Sequence, residues 1–391
     1  MAANQEVFSA FIESSDDIEV LNNVAKQLGL KNYEIKAGGI SQAIDLYREK
    51  KSPAFLIVDI SKSELPISDM AQLLEVCSPN INIIAVGQKN EVSLYRDLNK
   101  IGIYEYLLTP LFSEILERTL QSMLSGKAQV EGKSTKSGKI IACMGSRGGV
   151  GATFIASNLA AMLSMEKLRR VVLIDLDLYF GTLSLNFDLK PSFGLREVFE
   201  SPGRIDQVFI DRLLVPVNQR LFLLSSEEPL QEKIQYKIEG LEELLTYLSK
   251  QFHYVIVDIP HYFNEFISTM LLKANIMLLI TEPSVANLRD AGRLTHYLNL
   301  EGGVDRSIIV MNKSGQYKKS ELGLEEFEKN LKNKINHTIL YNNLLPLEFL
   351  NQGKTMENTN NPLAESIREI MLDILGTRKA EKKEGWFKKL F

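Results

Sequence analysis

Cysteine is nearly absent from this chain: Cys77 and Cys143 are the only two in 391 residues. That excludes a disulfide framework and a thiolate zinc site. Both cysteines sit in or beside apolar runs, as small buried hydrophobes of a reducing compartment do. Histidine is scarce as well. His253, His261, His296 and His337 are the whole set, and they make neither a metal-like cluster nor a Cys/His nucleophile arrangement. Neither sign of charge dominates: the formal net charge is -4, so broad nucleic-acid binding is not expected. Long apolar runs are missing too, every one falling short of the roughly 20 residues that cross a bilayer. Met1–Glu6 is polar and lacks the pattern of a signal peptide. These absences predict a cytoplasmic protein whose membrane contact is at most peripheral.

What is present is ordinary globular composition, 45% apolar and 24% charged, over a length that suits two domains. Residues 1–124 alternate strand and helix signals. Val7–Ile12, Ala54–Asp59, Ile81–Val86 and Tyr104–Leu108 read as strands. Ile18–Leu28, Ser41–Lys50, Ile67–Val76, Val92–Ile101 and Leu111–Leu124 read as helices. The alternation predicts a five-stranded doubly wound parallel sheet. Ser125–Gly138 has almost no apolar content and reads as a flexible linker. A second, larger α/β pattern occupies 139–378. Its candidate strands are Lys139–Met144, Arg170–Asp175, Arg220–Leu224, Tyr254–Asp258, Ile276–Thr281, Ser307–Met311 and Thr338–Tyr341. Helices fit between them, notably Thr153–Met165 and Ile238–Gln251. The fold class expected is therefore α/β with two doubly wound parallel-sheet domains, receiver-like and then P-loop NTPase-like. Residues 379–391 are a charged spacer ending in Gly-Trp-Phe-Lys-Lys-Leu-Phe.

The chemistry-bearing motif follows the strand Lys139–Met144. Ser146-Arg147-Gly148-Gly149-Val150-Gly151-Ala152-Thr153 is a glycine-rich loop running into a helix. Glycines let backbone amides point inward at phosphates, and the helix N-terminus adds partial positive charge. Thr153 stands where a P-loop hydroxyl ligates Mg2+. Against the pattern G-x-x-x-x-G-K-[ST], Ser146 replaces the first glycine and Ala152 the lysine. A ligand-free strand–helix turn is the competing reading. Val171–Asp177 is a strand ending in Asp-x-Asp, and Tyr254–Pro260 delivers Asp258 to a sheet edge as a Walker B strand does. The plain alternative for these carboxylates is strand-end acids in solvent.

These residues resemble the MinD/ParA superfamily of deviant Walker ATPases. The family loop reads Lys-Gly-Gly-Val-Gly-Lys-Thr, with an extra signature lysine at its start. Arg147 occupies that signature position. The run Gly-Gly-Val-Gly-Ala-Thr resembles the CpaE/TadZ branch of pilus-assembly localisation proteins. That branch also joins a receiver-like domain to an ATPase-like one, so the resemblance covers nearly the whole chain. Phe180-Gly181 and Gly194-Leu195 follow the same pattern. The resemblance implies ATP and Mg2+ as ligands, with Ser146, Arg147, Gly148, Gly149, Val150, Gly151, Ala152, Thr153 and Phe154 around the phosphates. It implies that Thr153, Asp175 and Asp258 serve Mg2+, the carboxylates through water, and that Asp177 orients the attacking water. Asn312 and Lys313 fall where the family reads adenine, and Pro346 where a later loop packs beside the base. Thr281–Asp290 matches a dimer and partner surface, with a capped surface helix as the alternative.

The N-terminal pattern resembles a response-regulator receiver. Asp59 matches the phospho-acceptor. The acidic pair after the first strand is replaced by Glu13-Ser14, with Asp16 and Asp17 slightly late. The hydroxyl position is Gly87 and the lysine position Thr109. A pseudo-receiver used for protein contacts is the reading. At the other end, Trp386, Phe387, Leu390 and Phe391 could share a helical face for peripheral membrane contact, or belong to a disordered tail.

The leading expectation is an ATP-binding, homodimeric scaffold that localises a pilus or secretion apparatus. Hydrolysis should be weak or absent, because charge at the transferring phosphoryl group carries most of the catalysis and Ala152 has none. Two alternatives stand: an active MinD/ParA-type positioning or partition ATPase, and a signalling protein switched at Asp59.

Overall fold

The computed structural model describes residues 8–124, 137–203, 206–302 and 304–377. Most of the linker, 125–136, and the tail residues Trp386, Phe387, Leu390 and Phe391 lie outside the described residues. The chain divides into two compact units, one around a five-stranded sheet and the other around most of an eight-stranded sheet.

The first sheet holds β1 (Phe8–Ile12), β2 (Tyr33–Ala37), β3 (Phe55–Asp59), β4 (Asn82–Gly87) and β5 (Glu105–Leu108). Their order is β2-β1-β3-β4-β5, and every neighbouring pair is parallel. Continuous apolar runs form these strands because both faces are covered. Phe11, Leu56, Val58 and Ile83 enter one core cluster, whereas Phe8, Ala10, Ile57 and Ile84 enter another. The sequence counts five strands but offers no segment for the second. The reason is visible in β2, an edge strand whose Tyr-Glu-Ile-Lys-Ala is only partly buried and carries two charges.

The second sheet holds β6 (Lys139–Gly145), β7 (Val171–Asp175), β8 (Val215–Pro216), β9 (Leu221–Leu224), β10 (Tyr254–Ile259), β11 (Ile276–Thr281), β12 (Arg306–Ser314) and β13 (His337–Leu340). The order is β13-β12-β11-β6-β10-β7-β9-β8. The pairs β6–β11, β11–β12, β12–β13 and β7–β9 are parallel. The two-residue β8 runs antiparallel to β9 and was not anticipated; it is too short to leave a periodic signal. The central position of β6 between β11 and β10 puts its outgoing loop beside the ends of β10 and β7, at a switch point where α/β sheets bind ligands.

The helix Ala152–Met165 continues from β6. Every residue from Ile155 to Ser164 is buried, so this helix has no polar face. It sits inside the unit with the loop at its N-terminus, and its buried Ser157, Asn158 and Ser164 are hydrogen-bonded to Asn186, the Met356 amide and Asn218. The final helix, Pro362–Leu375, packs against it and against β13. It is capped by the Asn361 side chain, which accepts from the Ala364 amide, and ended by Gly376 at φ 72°.

Candidate functional site

The loop after β6 is shaped by glycine. Gly149 and Gly151 take φ of 83° and 95°, where a side chain is strained. A Cβ on Gly151 would also stand 2.6 Å from Asn312 Nδ2, and one on Gly145 2.6 Å from the Arg147 carbonyl. Among the described residues, the amides of Gly148 through Thr153 donate to no protein acceptor. Six amides without a protein acceptor at the head of a fourteen-residue helix form a candidate anion cradle.

Around this cradle lies a cleft of about 330 Å³. Arg147, Gly148–Thr153, Asp175, Asp177, Phe180, Asp258 and His261 contribute to its lining. Thr153 Oγ1 donates to Asp258 Oδ2 at 2.7 Å, so the loop hydroxyl and the β10 carboxylate already meet. Asp175, buried at the end of β7, accepts from the Asp177 amide at 3.1 Å and the Leu183 amide at 3.2 Å. Gly181 permits this, because a Cβ there would collide with the Asp175 carboxylate. Asp177 accepts from the amides of Tyr179 and Phe180, which holds the turn after β7. Burial, followed by the nearby Asp258 charge, pushes the Asp175 carboxyl well above the usual carboxylate range. Burial likewise raises Asp258, with Asp177 adding to it and the Thr153 hydrogen bond opposing. Two carboxyls that resist ionisation together suit a divalent cation, which would relieve both. Orphaned amides, a glycine cradle and a Thr–Asp pair beside buried carboxyls fit a Mg2+-bound nucleotide phosphate.

The other sequence candidates are placed less uniformly. Ser146 is fully buried and turned away: its hydroxyl donates to Asn287 Oδ1 at 2.6 Å and lies 3.0 Å from Thr281 Oγ1, while its amide donates to the Ile280 carbonyl. Arg147 lines the cleft, but its guanidinium pairs with Asp290 at 2.7 Å. Arg289 and then Arg147 hold the Asp290 carboxyl below its ordinary range. Asn312 Nδ2 donates to the Val150 carbonyl at 2.8 Å and Lys313 Nζ to the Gly149 carbonyl at 2.6 Å. Both therefore brace the loop's backbone. Lys313 reaches it from a bulge in β12, at φ 55°, and also pairs with Glu282. Phe154 is half-buried in the first helical turn, and Pro346 opens the short helix Leu345–Asn351; neither lines the cleft. The segment from Thr281 leads into the helix Val285–Glu301, capped by Ser284.

Two participants were not singled out for a role in the sequence. Asn287 was quoted only within a surface segment, yet it ties Ser146 to the Ser284 cap. His261 follows Pro260 directly after β10, and its Nδ1 lies 3.2 Å from the Gly145 carbonyl. Proximity to Asp258 was the one available signal. His261 also lines an adjoining cavity of about 500 Å³ with Arg147, Phe263, Arg293 and Tyr297.

In the first unit, Asp59 is buried and accepts from the Ser61 amide at 2.8 Å and the Glu13 amide at 3.2 Å. Asp17 is equally buried, accepting from the Leu111 amide at 2.6 Å and from the Thr109 hydroxyl. Lys62 pairs with Glu13. At Gly87 a Cβ would meet the Tyr106 hydroxyl at 2.6 Å, so the tyrosine ring occupies space that a larger residue would fill.

The second unit has an α/β P-loop fold similar to that of MinD/ParA-type proteins. Residues 138–302 match the family model described as an AAA domain. The septum site-determining protein MinD of Synechocystis sp. is 30% identical over 175 residues, 44% of this chain and 64% of that protein. This chain thus spans somewhat under two thirds of that relative's length. Among solved structures, the ParA family ATPase of Chlorobium tepidum has a TM-score of 0.56 at 23% identity, covering 61% of this chain and 98% of that one. MinD of Pyrococcus horikoshii, complexed with Mg-ADP, has a TM-score of 0.52 at 18% identity, covering 60% and 95%. At those identities the structural likeness speaks to fold. Among the described residues, no helix is long and apolar enough to cross a membrane.

Proposed function

We propose that the second unit binds ATP with Mg2+, dimerises around it, and hydrolyses it slowly or not at all. The observation that supports this most directly is the glycine loop itself: six residues whose amides have no protein acceptor line a cleft in which Thr153 touches Asp258. The structural neighbour complexed with Mg-ADP lends the choice of ligand its support. A bound Mg–nucleotide would supply the electrophilic phosphoryl group. The protein's part would be to hold the phosphates with amides, to hold the metal's water shell through Thr153, Asp175 and Asp258, and to keep a water near Asp177. Asn312, Lys313 and Pro346 are the candidates for the base end. Ala152 leaves no ammonium at the β- and γ-phosphates, so slow turnover is the expected consequence.

At the level of the whole protein, the proposed role is a scaffold that localises a pilus or related secretion apparatus. It would act as a homodimer in the cytoplasm, with peripheral membrane contact through Trp386, Phe387, Leu390 and Phe391. The Ala152 loop, the N-terminal doubly wound sheet and the pairing of the two in one chain support this reading. In the first unit Asp59, already accepting from two amides, fits a protein-contact module better than a phosphorylation switch. The test is nucleotide binding, turnover and oligomeric state, for wild type and Ala152→Lys. Binding with turnover far below that of active P-loop enzymes is expected. Fast turnover in wild type would instead favour an active positioning ATPase.

A further inference from the structure

We propose that His261 supplies, toward bound phosphate, the side-chain cation that the loop lacks at Ala152. The inference rests on the nucleotide reading above and deepens it.

Among the described side chains lining the cleft, only Arg147 and His261 can carry positive charge, against the carboxylates of Asp175, Asp177 and Asp258. Arg147 is drawn toward Asp290 on the helix Val285–Glu301. Lys313 reaches the loop but spends its ammonium on the Gly149 carbonyl and Glu282, outside the cleft lining. That leaves His261. It is exposed at the mouth of the cleft, three residues beyond Asp258, and its ring is pinned at one end. A carbonyl oxygen only accepts, so Nδ1 carries its proton and donates to Gly145, where the loop begins. Nε2 is then the nitrogen left to meet a ligand. With Nδ1 donating to Gly145, Nε2 can donate to a phosphate oxygen only from the doubly protonated ring. The charged groups around it are Arg147 from the loop, Asp175, Asp177 and Asp258 from the ends of β7 and β10, and Arg289, Asp290 and Arg293 from the helix Val285–Glu301. An ionised hydrogen bond of this kind is about twice as strong as a neutral one. The side chain comes from the Walker B loop, whereas the ordinary P-loop lysine comes from the glycine loop, so the charge would approach the phosphates from the opposite wall.

The experiment titrates a fluorescent non-hydrolysable ATP analogue with Mg2+ into full-length protein. The variants are Ala152→Lys, His261→Ala, His261→Lys, and His261→Ala combined with Ala152→Lys. His261→Ala should weaken binding by about tenfold or more. His261→Lys should stay within about threefold of wild type, and Ala152→Lys should rescue the His261→Ala loss. Since His261 is exposed, thermal unfolding should not shift among these proteins, which separates lost charge from lost fold. His261→Ala binding within about twofold of wild type would overturn the inference, as would a His261→Lys protein as weak as the alanine variant. If neither wild type nor Ala152→Lys binds any nucleotide, the nucleotide reading itself falls, a result distinct from either of those.

Discussion

Single residues in the cleft carry opposed demands, and their substitution should show it. Gly151 lies at φ 95° with Asn312 packed where a Cβ would point. Gly151→Val should abolish nucleotide binding and cost roughly 2–3 kcal/mol of stability, read from urea unfolding. Asp175 is a carboxyl whose burial and neighbour raise its pKa in the folded state. The folded protein therefore holds a proton that the unfolded chain has released. Stability from this group is complete below the unfolded carboxylate value of about 4 and falls as pH rises through the folded pKa. Without divalent cation, the melting temperature should drop from mildly acidic toward neutral pH. Asp175→Asn should flatten that slope and stabilise the metal-free protein at neutral pH by on the order of 1–3 kcal/mol. An unchanged slope in the variant would show that Asp175 ionises freely.

Secondary elements reach the site through a few tertiary ties. The helix Val285–Glu301 is bonded to the glycine loop through Asn287 and Ser146, and its Asp290 holds Arg147. The starts of β12 and β13 are fastened to the last helix by Asp373. It accepts from Arg306 at 2.6 Å and lies 3.1 Å from His337 Nε2. Arg306 and His337 together hold the Asp373 carboxyl below its usual range against the opposing effect of burial. Asp373→Ala should therefore remove the carboxylate that ties Arg306 and His337 to the last helix and cost about 1–3 kcal/mol in chemical unfolding, discounted because Arg306 is partly exposed. The cleft residues are not touched by this change, so nucleotide affinity at temperatures well below melting should stay near that of wild type.

Across the whole molecule, the balance of charge in the cleft decides what it can hold. Three carboxyl groups, two of which resist ionising together without a cation, line the cleft with one arginine and one histidine, so phosphate should be received best with Mg2+. Nucleotide affinity is expected to fall by about a hundredfold when Mg2+ is chelated, measured by calorimetry with and without EDTA. A protein that binds ATP equally well in EDTA would argue against Thr153, Asp175 and Asp258 as the metal's seat. In the first unit, incubation with acetyl phosphate should leave Asp59 unmodified by mass spectrometry, since its carboxylate oxygens are already held by backbone amides. Substantial acyl-phosphate at Asp59 would instead revive the signalling alternative.

How much was legible depended on how local the cause was. Continuous apolar strands such as Val255–Val257, and glycines at fixed spacing before a helix, announce themselves because backbone conformation and burial on both faces depend on nearby residues. The α/β class, the largely parallel sheets and the glycine loop were readable for that reason. The strand β2 was not, because a half-exposed edge tolerates charges, and β8 was too short for any period. Nor could residue order say that the Ser146 hydroxyl turns inward to Asn287, that Lys313 spends its charge on the Gly149 carbonyl, or that His261 is pinned to Gly145. Those pairings join residues more than a hundred positions apart. They exist because the strand order brings β6, β10, β11 and β12 side by side. The sequence by itself determined the loop and its missing lysine; only the tertiary structure decided which distant side chains stand around it.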